Sequence, residues 1–236
     1  MVRQFLWMGR AAWLKTAEGG GRRLRLYLLD LACRRLGVPA LRPPPHLGGQ
    51  ASLVIEQRRL HQLAAQQVRV PQVLEASGHA LILSDIGVTL ASRLRPAQAD
   101  ERARLVAAAA QAILCVHVAG GYLGQPFARN IMLDAQGEIG FIDFEEDPLQ
   151  VMELTQAQVR DWLIFAAGVS RYFPQTGLEL ANILATALAS VAPEVREQLA
   201  IAAQRLAPVA AISARLGARA RRISGAITAL QAATRG

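Results

Sequence analysis

Lysine is almost missing from this chain: of 26 Lys plus Arg residues, Lys15 is the sole lysine. An ammonium is a compact, strongly hydrated point charge, whereas a guanidinium is a planar fork, so one ammonium kept in an arginine-rich chain marks a place that uses the point charge. Cysteine is scarce as well. Cys33 and Cys115 stand in apolar, helical contexts without a C-x-x-C spacing, which excludes a disulfide framework and a zinc site and reads as two buried free thiols. Aromatic residues amount to 5%. The arginine-rich helices therefore lack the interleaved rings that stack on bases, which argues against nucleic acid as a partner. Polar low-complexity tracts and internal repeats are absent too, and with 52% hydrophobic and 19% charged residues the 236-residue chain has enough apolar surface to fold.

No apolar run of signal-peptide length precedes Arg10, which points to a cytoplasmic protein. Residues 105–124 are nearly uncharged and long enough to span a bilayer, but much of their apolar content is alanine and they carry Gln111 and His117, so they read as a buried helix. The formal charge of +8 favours anionic partners in general. Residues 22–36 form an amphipathic basic segment suited either to packing on a core or to lying on anionic lipid at the inner membrane face.

Along the chain, residues 5–7 and 11–15 read as a hairpin turning at Gly9 and Arg10, with Lys15 closing its second strand. After the glycines at 19–21, Leu24, Leu28, Leu31 and Leu36 set one face of a helix. A second helix over 53–67 carries Leu53, Leu60 and Leu63 on one side and Glu56 near its start. Residues 80–84 form a short buried strand, followed by Asp85 and Gly87. From Asp100 the chain reads as mainly helical, broken near Pro174, Pro193 and Pro208 and interrupted by a strand, turn and strand over 130–133, 135–137 and 139–144.

The chemistry is concentrated between Gly124 and Glu145. Asn130 opens the first strand of that hairpin and Asp143 closes the second, so their oxygens converge, and one or two such ligands plus phosphates suit magnesium. Asp143 lies in the apolar run I-G-F-I-D-F, where an unpaired carboxylate is costly, which favours a metal or hydrogen-bonding role. Glu145, Glu146 and Asp147 read as a solvated acidic turn, and His117 as a core histidine without a role.

The pattern N-I-x-x-D-x-x-G-x-I-x-x-I-D-F-E over 130–145 resembles the metal-binding hairpin of protein-kinase-like enzymes, in particular the compact bacterial branch that includes lipopolysaccharide core kinases. The resemblance covers roughly residues 11–161 and implies an α+β, two-lobed fold, with a reduced N-terminal β lobe over 1–87 and a mainly helical C-terminal lobe over 88–236. It implies ATP and Mg2+ as cofactors. Asn130 and Asp143 then hold the metal, Lys15 the phosphates and Glu56 the lysine. Ile82, Leu83, Ser84 and Asp85 are the inter-lobe linker that receives adenine, and Asp161 braces the catalytic loop.

Three departures keep the function open, one of them the family's first strand, for which the short stretch before Lys15 leaves no room. The family's H-G-D-x-x-x-x-N is Leu123-Gly124-Gln125 here, so the base position is the neutral Gln125, and no glycine-rich loop precedes Lys15. An amide cannot act as a base near neutral pH but can orient a hydroxyl. The expectation is an ATP-dependent phosphotransferase acting on a sugar, lipid-linked or protein hydroxyl. A pseudokinase scaffold that binds nucleotide without transfer is the alternative, and a basic membrane-surface or nucleic-acid-binding protein on a reused fold is the third reading.

Overall fold

Strand β1 (Val2–Trp7) pairs antiparallel with β2 (Arg10–Thr16) around a two-residue turn, Trp7 facing Arg10. Met8 and Gly9 take positive φ of 47° and 77°, the backbone a two-residue hairpin needs to match strand twist. The turn thus lies one residue earlier than the sequence indicates, and it is too short to wrap a ligand. The computed structural model describes residues 2–17, 23–45, 48–173 and 177–235; the glycines at 19–21, Pro174 and the side chain of Leu24 lie outside them.

Helix α1 (Arg23–Leu36) follows, then α2 (Gly49–Ala65), β3 (Val73–Ala76) and β4 (Ala80–Ser84). The sheet order is β1-β2-β4-β3, all antiparallel, with β4 central. Helix α2 covers this sheet with Leu53, Leu60 and Leu63, the side that its apolar spacing indicates. It begins four residues before that periodicity does, because residues 49–52 are small or polar and carry no apolar signal.

Beyond Ser84 the chain crosses to a second sheet, in the order β5-β6-β7, made of β5 (Val88–Thr89), β6 (Ile131–Leu133) and β7 (Ile139–Phe141). The two-residue β5 has no readable alternation, and the sequence does not announce it. Gly87, at φ 123°, is where the crossing is tightest: a Cβ there would lie 2.0 Å from the carbonyl oxygen of Leu133, so only glycine fits.

Around the second sheet lie α3 (Leu90–Leu94), α4 (Ala99–Val118), α5 (Leu154–Val169), α6 (Leu178–Leu188), α7 (Pro193–Arg205), α8 (Ala207–Arg215) and α9 (Ala218–Ala233). Asp100 and Glu101 sit in the first turn of α4, where carboxylates suit the positive end of the helix dipole. Among the described residues no helix is long and apolar enough to cross a membrane. Helix α5 is apolar nearly all round, with Trp162 and Phe165 fully buried, and it packs against α4, α7 and α9 at the centre of the helical layer. The architecture is α+β.

Two expectations about burial fail. Cys33 is buried and its Sγ reaches the carbonyl of Leu41, but Cys115 is exposed, since the inward face of α4 is taken by Val106, Ala109, Ala110, Ile113 and Leu114. Helix α1 turns only the end of its leucine face inward, where Leu36 packs against the core. Tyr27, Leu28 and Leu31 are 66%, 56% and 40% exposed, and the helix rests on the 3-10 turn Pro39–Leu41 through Cys33 and its neighbours.

Candidate functional site

Lys15 stands in β2 opposite Leu81 of the central strand, which carries its side chain inward to 7% exposure. An ammonium buried this far needs partners. It has three: both oxygens of Glu56 at 2.7 and 2.9 Å, Oδ1 of Asp143 at 3.1 Å and Oε1 of Glu145 at 2.8 Å. Burial works to depress the Lys15 pKa, but the carboxylates of Glu56, Asp143 and Glu145 outweigh it and hold it above its ordinary value. Glu56, 1% exposed on α2, is the deepest of the three.

Asn130 precedes β6 and Asp143 follows β7, and the pairing of those strands brings the two side chains together: Asn130 Nδ2 donates to Asp143 Oδ2 over 3.3 Å. The same amide nitrogen donates to the carbonyl of Gln125 over 3.0 Å. That leaves the Asn130 carbonyl oxygen as the group to offer a cation. Asp143 has φ 74°, a left-handed backbone that costs a non-glycine residue about 1 kcal/mol or more and that clusters at functional sites. No group of three or more His, Cys, Asp or Glu side chains among the described residues can hold a metal ion. Any magnesium here would rest on Asn130, Asp143 and the oxygens of its own ligand, the donor set such an ion accepts.

Lys15, Glu56, Asn130 and Asp143 form the polar end of a cavity of about 300 Å³ between the two sheets. Its remaining wall is mostly apolar, with Trp13, Leu60, Leu83, Ile86 and Met132 beside Ser84 and Thr89. Of the four residues expected to form a linker, Ile82, Leu83 and Ser84 belong to β4, and Ile82 and Leu83 are paired on both sides. Their backbone is committed to the sheet, and the connection consists of residues 85–87. Asp85 is an anchor there: its Oδ2 accepts from Trp13 Nε1 at 2.9 Å and Gln4 Nε2 at 3.1 Å, and its Oδ1 from the Gly87 amide at 2.8 Å.

The loop from Gly120 to Asn130 is held from beneath by one turn of α5. Asp161, fully buried, accepts from the amides of Leu123 at 2.7 Å and Gly124 at 2.6 Å and pairs with His117 Nε2 at 3.0 Å. Gln158 donates to the carbonyls of His117 and Gly121, and Arg160 donates to those of Gly124, Ala40 and Arg42. His117 thus supports this loop rather than merely filling the core. His117 is read from the sequence as a core histidine without a role, and Gln158 and Arg160 are not singled out there. Their signal was there, in polar residues set within the apolar run Q-V-R-D-W-L-I-F.

The acidic turn is likewise no solvated surface. Glu145 binds Lys15, and Glu146 Oε2 accepts from Gln125 Nε2 at 2.7 Å. Asp147 is buried and accepts from Tyr122 Oη, Arg58 Nη2 and the Leu149 amide. Burial pushes the Tyr122 phenol up, although the Arg59 guanidinium stacked 3.7 Å over its ring opposes this. Each carboxylate of the turn fixes a different part of the loop wall, which their run in the sequence does not reveal. No family model matches this chain, and no curated protein does.

Proposed function

We propose that the cavity binds a magnesium nucleoside triphosphate and that the protein is an ATP-dependent phosphotransferase of kinase-like architecture, its reduced N-terminal lobe (1–87) and helical C-terminal lobe (88–236) meeting at this site. The observation that carries the reading is the buried Lys15–Glu56 pair, whose ammonium also reaches Asp143 beside Asn130 at the polar end of an apolar-walled cavity. A base ring suits the apolar wall, while Lys15 is the point charge for phosphate oxygens. Magnesium, when bound, would neutralise charge on the phosphates, with Asn130 and Asp143 as its protein ligands. The acceptor is a hydroxyl of a sugar, lipid-linked or protein substrate. A nucleotide-binding scaffold without transfer is the competing reading.

Thermal unfolding with MgATP tests the cavity. A ligand at 100 times its Kd stabilises a native protein by about 2.7 kcal/mol, which for a chain of this size raises the midpoint by roughly 5–11 °C. Asp143→Ala removes most of that shift. Wild-type protein whose midpoint ignores MgATP at millimolar concentration would end both nucleotide readings.

A second reading concerns location, and α1 favours it. Tyr27, Leu28 and Leu31 fall within an arc of roughly 100° on the outer side of the helix and are all exposed. The basic residues Arg34 and Arg35 in the last turn match an anionic bilayer. The expected result is co-sedimentation with phosphatidylglycerol vesicles that weakens as salt rises, fails with phosphatidylcholine alone, and falls at least tenfold in Leu28→Glu/Leu31→Glu. Equal binding by that double variant would count against α1 as the contact.

A further inference from the structure

We infer that Glu146 supplies the acceptor-activating carboxylate that the catalytic loop lacks, and that Gln125 is the amide that holds it in place. This rests on the nucleotide reading above and adds the group that meets the acceptor.

Position 125 is fixed relative to the Asn130–Asp143 pair through its own backbone. The Gln125 carbonyl accepts from Asn130 Nδ2 at 3.0 Å and from the Phe127 amide at 2.8 Å. The Gln125 side chain has no proton affinity to offer, but it does donate, and its Nε2 lies 2.7 Å from Glu146 Oε2. A carboxylate therefore stands one hydrogen bond from the place where the family's H-G-D pattern would put one. It is carried on the segment that follows Asp143.

The neighbours of Glu146 show that the placement is specific. Glu145 is taken by Lys15 and Asp147 by Tyr122 and Arg58, while Glu146 accepts from the base-position residue. Beneath it lies Arg160, whose buried guanidinium interacts electrostatically with Glu146 while donating to the Gly124 carbonyl at 3.0 Å. Gln125 and Glu146 are both partly exposed and lie outside the lining of the 300 Å³ cavity, where a second substrate has access, whereas Asn130 and Lys15 are buried.

The step balances without a further reactant. The acceptor hydroxyl gives its proton to a Glu146 oxygen, and the hydroxyl oxygen forms a bond to the terminal phosphorus. The bond from that phosphorus to its bridging oxygen breaks, the electron pair leaving on the nucleoside diphosphate. The proton passes from Glu146 to water after the product departs.

The test exchanges amide and carboxylate. Wild type, Glu146→Gln, Gln125→Asp and the double variant Gln125→Asp/Glu146→Gln are compared for MgATP binding, phosphate release from MgATP and thermal midpoint. Glu146→Gln should bind MgATP as wild type does and release phosphate 10²–10⁴-fold more slowly, the usual size of a general-base contribution. Gln125→Asp sets two carboxylates side by side and should lower the midpoint by several degrees without nucleotide. The double variant, with the same hydrogen bond reversed, should recover the midpoint and return phosphate release to within tenfold of wild type. Three results overturn the inference alone while the cavity still binds MgATP: Glu146→Gln turning over within twofold of wild type, a wild type that releases no phosphate, or a Gln125→Asp midpoint equal to wild type. Failure of the wild type to bind MgATP overturns the nucleotide reading itself, and this inference with it.

Discussion

Asp161→Ala lowers the free energy of unfolding by about 3–5 kcal/mol, the range seen when one partner of a buried, hydrogen-bonded charge network is removed. The carboxylate is fully buried, and its loss strands the amides of Leu123 and Gly124 and Nε2 of His117. Each buried donor without an acceptor costs about 1–3 kcal/mol, so the backbone terms alone account for most of the figure. For a domain of this size the midpoint falls by roughly 6–20 °C. Asp161→Asn keeps the volume but turns an N–H toward one donor, and it should cost nearly as much. Asp100→Ala, at an exposed position in the first turn of α4, should change stability by less than about 1 kcal/mol. Chemical denaturation of the three variants checks the ordering, and a loss below about 1 kcal/mol for Asp161→Ala would mean that the loop is held mainly by Gln158 and Arg160.

The contrast between Asp161 and its neighbours shows what a linear sequence transmits. The hairpin β6–β7 was legible because the two short apolar runs, Gly137 and the polar residues at either end all point one way. So was α2, where Leu53, Leu60 and Leu63 repeat at helical spacing. Lys15, Glu56, Asn130, Asp143 and Asp161 were found through a motif, and the structure brings the first four within one cluster and seats the fifth under the loop.

What stayed hidden is of another kind. Periodicity shows that α1 is amphipathic but not whether anything covers its apolar face, and here Leu28 and Leu31 meet solvent. The partner of a polar residue depends on elements far off in the chain: Gln125 meets Glu146, and Arg160 reaches Ala40, 120 positions away. The acidic turn shows the consequence. Three successive carboxylates read as a solvated patch when charge density is the only guide. Each proves to be spoken for by a different element, β2, the loop that carries Gln125, and α2 with Tyr122.

At Lys15 the structural role and the proposed ligand-binding role can be separated. Lys15→Met removes the cation from Glu56, Asp143 and Glu145 and leaves Glu56, 1% exposed, as an unpaired buried carboxylate, at a cost of about 3–5 kcal/mol. If pairing were the lysine's whole purpose, deleting both charges should repair everything. Lys15→Met/Glu56→Leu is expected to recover most of the lost stability, because an apolar pair of similar volume often matches or exceeds a buried ion pair. It is not expected to recover the MgATP-dependent midpoint shift, since among the described residues nothing else in the cavity lining is cationic. Glu56→Leu alone should be the mildest of the three in stability, because Asp143 and Glu145 still hold the ammonium, and should keep part of the shift. A double variant that regained stability together with the full nucleotide shift would make Lys15 a core ion-pair residue and remove it from the ligand site.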